Sequence, residues 1–78
     1  MKYNKHTINA STDNLNRIID NHITGFKAYR NRGILKSRLI EGHTFEEIAE
    51  EYDMSVRQVK KIVYDLEVVI SEHLRVEE

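Results

Sequence analysis

Arg57, Lys60 and Lys61 lie close together beside Val56 and Gln58, with no acid between Asp53 and Asp65. On a helix, spacings of three and four residues gather side chains on one side. Presented to the DNA major groove, Arg57 and Lys60 can donate to guanine O6 and N7. Gln58 can pair with adenine if it points outward, and Val56 can touch a thymine methyl. Ser55 and Thr44 stand where helices are expected to start. Such positions suit phosphate oxygens, because free backbone N–H groups and the helix dipole favour an anion. Arg30, Lys36 and Arg38 would add long-range attraction and salt dependence.

Other chemistries find less support. No Ser-His-acid or Cys-His arrangement is apparent, and no glycine-rich loop could cradle a phosphate. His6, His22, His43 and His73 do not share metal-ligand spacing on one helix, so His22 and His73 read as boundary or interface residues. The chain is therefore expected not to be an enzyme and to need no cofactor or metal. Glu46, Glu47, Glu50 and Glu51 read as a solvated face, or as a docking surface for a basic protein partner.

The 78 residues fit one domain with a thin core, and without cysteine no disulfide or cysteine-based zinc site can staple it. Core packing or a partner subunit must supply the stability. No apolar run approaches membrane-spanning length, and the basic N-terminus is not followed by the apolar stretch of a signal peptide. A cytoplasmic location is expected. Net charge is only −1, but its distribution is uneven. Residues 26–40 carry five bases and no acid, whereas 41–53 carry six acids and neither Lys nor Arg. After the basic segment at Arg57, five acids follow in 65–78 against Arg75 alone. A fold that turns the acids away would have a polarised surface.

Zero prolines and three glycines point to an all-α protein of three to four helices with few breaks. Residues 1–10 lack apolar periodicity and read as a flexible arm before a single domain over 11–78. Ser11-Thr12-Asp13 offers N-cap oxygens ahead of the stripe Leu15, Ile18, Ile19, His22 and Ile23, with Gly25 as a stop. The next apolar set is Phe26, Tyr29, Ile34, Leu35, Leu39 and Ile40. Gly33 lies inside it at a cost of ~1 kcal/mol relative to alanine. Residues 26–42 thus form either one helix or a turn followed by a helix starting near Asn31. Thr44-Phe45-Glu46-Glu47 has the form of a capping box, leading into Phe45, Ile48, Ala49 and Tyr52. Ser55-Val56-Arg57-Gln58 is a second such start. From it a long C-terminal helix runs through Val56, Val59, Ile62, Val63, Leu66, Val69, Ile70, His73 and Leu74.

Two capped helices so close in sequence are the pattern of a helix-turn-helix over about 44–64. Ile48 and Val59 would be its core contacts, Ala49 the close crossing, Met54 the plug in the turn and Ile62 the tie to the body. The turn residue is Asp53, where the left-handed backbone usually calls for glycine; aspartate tolerates that region at modest cost.

On these residues 30–74 resemble the fourth conserved region of bacterial sigma factors and, more broadly, sigma-like and response-regulator helix-turn-helix families. The resemblance is carried by Arg30, by Ile34-Leu35-Lys36-Ser37-Arg38-Leu39-Ile40-Glu41-Gly42, by Thr44-Phe45-Glu46-Glu47-Ile48-Ala49-Glu50 and by Ser55-Val56-Arg57-Gln58-Val59-Lys60-Lys61. It implies that the second helix enters the major groove, with Val56, Arg57, Lys60 and Lys61 facing bases and nearby phosphates. Arg30 and Arg38 match family arginines that grip the sugar-phosphate backbone. Val56 stands where the family has an arginine and Arg57 where it has an acid, which argues against the promoter element of true sigma factors as the target. A free-standing module of this kind resembles small transcriptional regulators of phages and mobile elements.

The stretch Leu66, Val69, Ile70, His73 and Leu74 has two readings. It packs on Leu15, Ile18, Ile19 and Ile23, or it forms a two-fold homodimer seam suited to a palindromic site; the small size of the module inclines towards the dimer. Three functions follow: a regulator binding double-stranded DNA, a module docking on RNA polymerase or a sigma factor, and the DNA-recognition part of a phage packaging machine. The last is ranked lowest because 78 residues are short for the ring-forming region such machines need.

Overall fold

The computed structural model describes residues 11–77 and is all-helical, with no strand among them; the arm expected at 1–10 lies outside the described residues. Four helices follow in order: α1 Thr12–His22, α2 Ala28–Leu39, α3 Phe45–Tyr52 and α4 Val56–Glu77. No helix among the described residues is long and apolar enough to cross a membrane.

Caps set the helix starts. The Ser11 side chain accepts from the Asn14 backbone N–H at 3.2 Å, opening α1 as the polar triplet suggested. Helix α2 begins differently. Lys27 precedes it in left-handed backbone (φ 62°) and makes no side-chain cap. The open question over 26–42 resolves to one helix from Ala28, and Asn31 lies within its first turn, accepting from Arg30 rather than capping. Phe26 and Tyr29 do not join the core; they are 88% and 91% exposed. Phe26 sits ahead of the helix. Tyr29 falls five and six residues before Ile34 and Leu35, which turns it to the opposite side of α2.

Gly33 has a physical reason that lies elsewhere in the chain. A Cβ at this position would come within 2.2 Å of the Tyr52 hydroxyl and 3.3 Å of the ring carbon bearing it. Tyr52, on α3, lays its hydroxyl over this position of α2, and burial holds its phenol above the usual pKa. Glycine lets that hydroxyl reach α2. Replacing Gly33 by alanine should therefore destabilise the fold by ~1–2 kcal/mol despite alanine's better helix propensity. In a Tyr52→Phe background the same change should be neutral, or stabilising by up to ~1 kcal/mol. Urea unfolding of the four-protein cycle checks this, and a Gly33→Ala protein more stable than wild type would refute it.

Two apolar clusters lie side by side. In one, Leu15, Ile18, Ile19 and Ile23 of α1 and its exit pack on Leu35 and Ile70, bordered by Leu39, Ile40, Leu66, Val69 and Leu74. In the other, Ile34, Ile48, Ala49, Val59 and Val63 meet, with Phe45, Tyr52, Met54, Val56 and Ile62 around them. The C-terminal stripe is thus occupied within the chain. Ile70 is fully buried against α1, Leu66, Val69 and Leu74 border the same cluster, and His73 stacks on His22 with ring centroids 3.5 Å apart. Of the two readings of this stripe, the intramolecular one describes these contacts.

Candidate nucleic-acid interface

Asp53 ends α3 in left-handed backbone (φ 55°, ψ 50°), the conformation required to turn the chain between two helices in three residues. Its N–H and that of Met54 return to the Ala49 carbonyl, at 2.9 Å for Met54. Ile48 and Val59, both fully buried, and Ala49 at 6% exposure hold α3 to α4. Val63 rather than Ile62 is the deeply buried residue of the next turn; Ile62 is half-buried beside it.

The start of α4 is a capping box. Gln58 N–H donates to Ser55 Oγ at 3.1 Å, while Gln58 Oε1 accepts from Ser55 N–H at 3.0 Å and from the hydroxyl at 3.2 Å. The Gln58 carbonyl is therefore spent on the cap rather than held out towards an adenine, and only its amide nitrogen remains. Thr44 and Glu47 form the equivalent box on α3, with bonds of 3.0 and 2.8 Å. The two helix starts differ electrically. Glu47 bonds the Thr44 backbone, which holds its pKa below the usual value, and Glu46 lies in the same turn. An anion already occupies that helix dipole. The first turn of α4 contains no acid, and its cap is a neutral amide.

With Val59, Val63 and Ile70 inward, Arg57, Lys60, Lys61, Tyr64 and Val68 form the opposite, exposed face of α4. Val56 is half-buried at its edge. Arg57 makes no hydrogen bond, ion pair or ring contact, alone among the described lysine and arginine side chains. Lys61 pairs with Asp65 one turn on, at 3.0 Å. Both groups are well exposed, so the pair is worth only ~0.3–0.5 kcal/mol and yields readily to another anion.

The basic residues of α2 divide. Lys36 pairs with Asp20 of α1 at 2.8 Å, where it binds two helices together. Arg38, two residues on, points about 200° away. Its guanidinium donates to the His43 carbonyl at 2.9 Å and lies 4.1 Å from the Phe45 ring centroid. Lys60 approaches the same ring at 5.7 Å, and Tyr64 meets it edge-on at 5.8 Å. Arg30 turns to its neighbour Asn31. The fold thus brings Arg38 to α4 and leaves Lys36 with α1. This cation–aromatic group went unseen in the sequence, where Phe45 read as a core residue. The signal available was a phenylalanine at the first position of α3, where a side chain reaches the helix rim.

No family model, curated protein or solved structure matches the chain. Among the described residues no group of His, Asp and Glu could hold a metal ion.

Proposed function

We propose that this chain is a sequence-specific binder of double-stranded DNA, a small transcriptional regulator of the kind found in phages and mobile elements. In this reading residues 55–64 enter the major groove. One observation carries it: the outer face of the first two turns of α4 holds Arg57, Lys60 and Lys61 without an acid, directly opposite the Val59 and Val63 core. A solvated helix has no need to segregate its charge so fully, whereas a polyanion does reward it. Arg57 reads bases, Lys61 exchanges Asp65 for phosphate, and Ser55 presents the acid-free helix start to the backbone.

Selection from a random duplex pool should yield a defined motif. Its affinity should exceed that for unrelated duplexes by ~10³-fold or more and fall steeply with salt. Equal affinity for selected and unrelated duplexes would overturn the sequence-specific reading.

A second reading has its own support. Glu46, Glu50 and Glu51 on α3 are exposed and form no ion pair with the described residues. That face suits a basic surface on RNA polymerase or a sigma factor, and it leaves the cationic face of α4 without a role.

A further inference from the structure

We propose that Phe45 is a positioning residue, whose ring holds Arg38 and Lys60 as a two-cation clamp for one backbone phosphate; this rests on the DNA-binding reading above. Three side chains from two helices, α2 and α4, converge on that ring. Arg38 comes from the last turn of α2 with its Cζ 4.1 Å from the ring centroid. Lys60 comes from the second turn of α4 with its Nζ at 5.7 Å. Tyr64 closes a further side, its ring inclined at 79°. Arg38 is also tethered through Nη1 to the His43 carbonyl, so its fork has a fixed direction before any ligand arrives.

Among the described residues neither cation has a carboxylate partner, although Lys36 and Lys61 both do. Glu47, the acid of the α3 cap, is engaged by Thr44. Two like charges gathered beside one ring repel each other, and the ring face compensates only in part. The chain assembles the charge and omits the anion. A phosphodiester oxygen supplies it, accepting charge-assisted bonds from the guanidinium and the ammonium together. Lys60 then belongs to the backbone contact rather than to base reading, which leaves Arg57 as the base-reading cation. Aromatic positioning matters because unpinned lysine and arginine chains lose rotamer entropy on binding.

A phosphate contact is blind to base sequence, so an arbitrary duplex of ~20 base pairs at low salt is a sufficient probe. Phe45→Leu keeps apolar bulk and removes the π face. It should weaken binding ~5–10-fold and make the salt slope shallower by up to ~1, and Phe45→Tyr should restore both. In an Arg38→Gln/Lys60→Ala background, Phe45→Leu should cause no further loss. Equal losses in both backgrounds would reveal a merely structural ring and overturn the proposal. So would an unchanged salt slope in Phe45→Leu while Arg57→Ala still impairs recognition of a selected site. Wild-type protein that fails to bind any duplex would instead remove the DNA reading itself, and the clamp with it.

Discussion

Replacing Arg57, Lys60 and Lys61 together by alanine should lower affinity for a selected DNA site by ~10³-fold, about 4 kcal/mol, without loss of the fold. Each contact to a base or phosphate contributes ~1–3 kcal/mol or its share of the salt slope. The three side chains are exposed, and the only ion pair removed among the described residues is the weak one to Asp65. Alanine is also the better helix former, so thermal stability should hold or rise. Single changes should separate two roles. Arg57→Ala relaxes sequence preference at one position, whereas Lys60→Ala weakens selected and unrelated duplexes alike. Competition binding at several salt concentrations, with far-UV circular dichroism as the control, reads all of this. A folded triple variant that keeps wild-type DNA affinity would overturn the assignment of α4 as the DNA-reading helix.

The second large effect concerns how that surface is held. Ile48 is fully buried at the centre of the cluster joining α2, α3 and α4. Ile48→Ala should cost ~2–4 kcal/mol, from lost burial and the cavity left behind. Small domains sit at the low end of the usual ~5–15 kcal/mol range, so this is a large part of the total. Urea denaturation should show the midpoint fall accordingly, with DNA binding lost in step as α3 ceases to brace α4. Ile62→Ala, at a half-buried site, should cost less. An Ile48→Ala penalty under ~1 kcal/mol would mean that α3 is not docked as described.

Features written in neighbouring residues were legible in the sequence. Ser11, Thr44 and Ser55 each cap the helix they precede, because capping is decided within four residues. Asp53 takes the left-handed backbone that the short turn demands, and Leu15, Ile18, Ile19 and Ile23 bury as one stripe. What depended on distant partners was not legible. Gly33 looked like a weakness until Tyr52, from another helix, supplied its reason. Lys36 and Arg38 seemed equivalent in the sequence, but the neighbours Asp20 and Phe45 give them different work. Gln58 differs: its box with Ser55 was legible three residues away, but the box commits the oxygen that an adenine contact would need. Phe26 and Tyr29 counted as apolar by type, yet Phe26 lies ahead of α2 and the helix phase turns Tyr29 outward.

Ile34 and Leu35 are consecutive, yet the first enters the cluster of α3 and the second that of α1. Helix α4 likewise gives Val59 and Val63 to one cluster and Ile70 to the other. Two continuous rods therefore run through both halves of the interior, and neither half can melt while its neighbour stays solid. Heating should produce a single cooperative transition, and the slowest-exchanging amides of α2 and α4 should share one opening free energy.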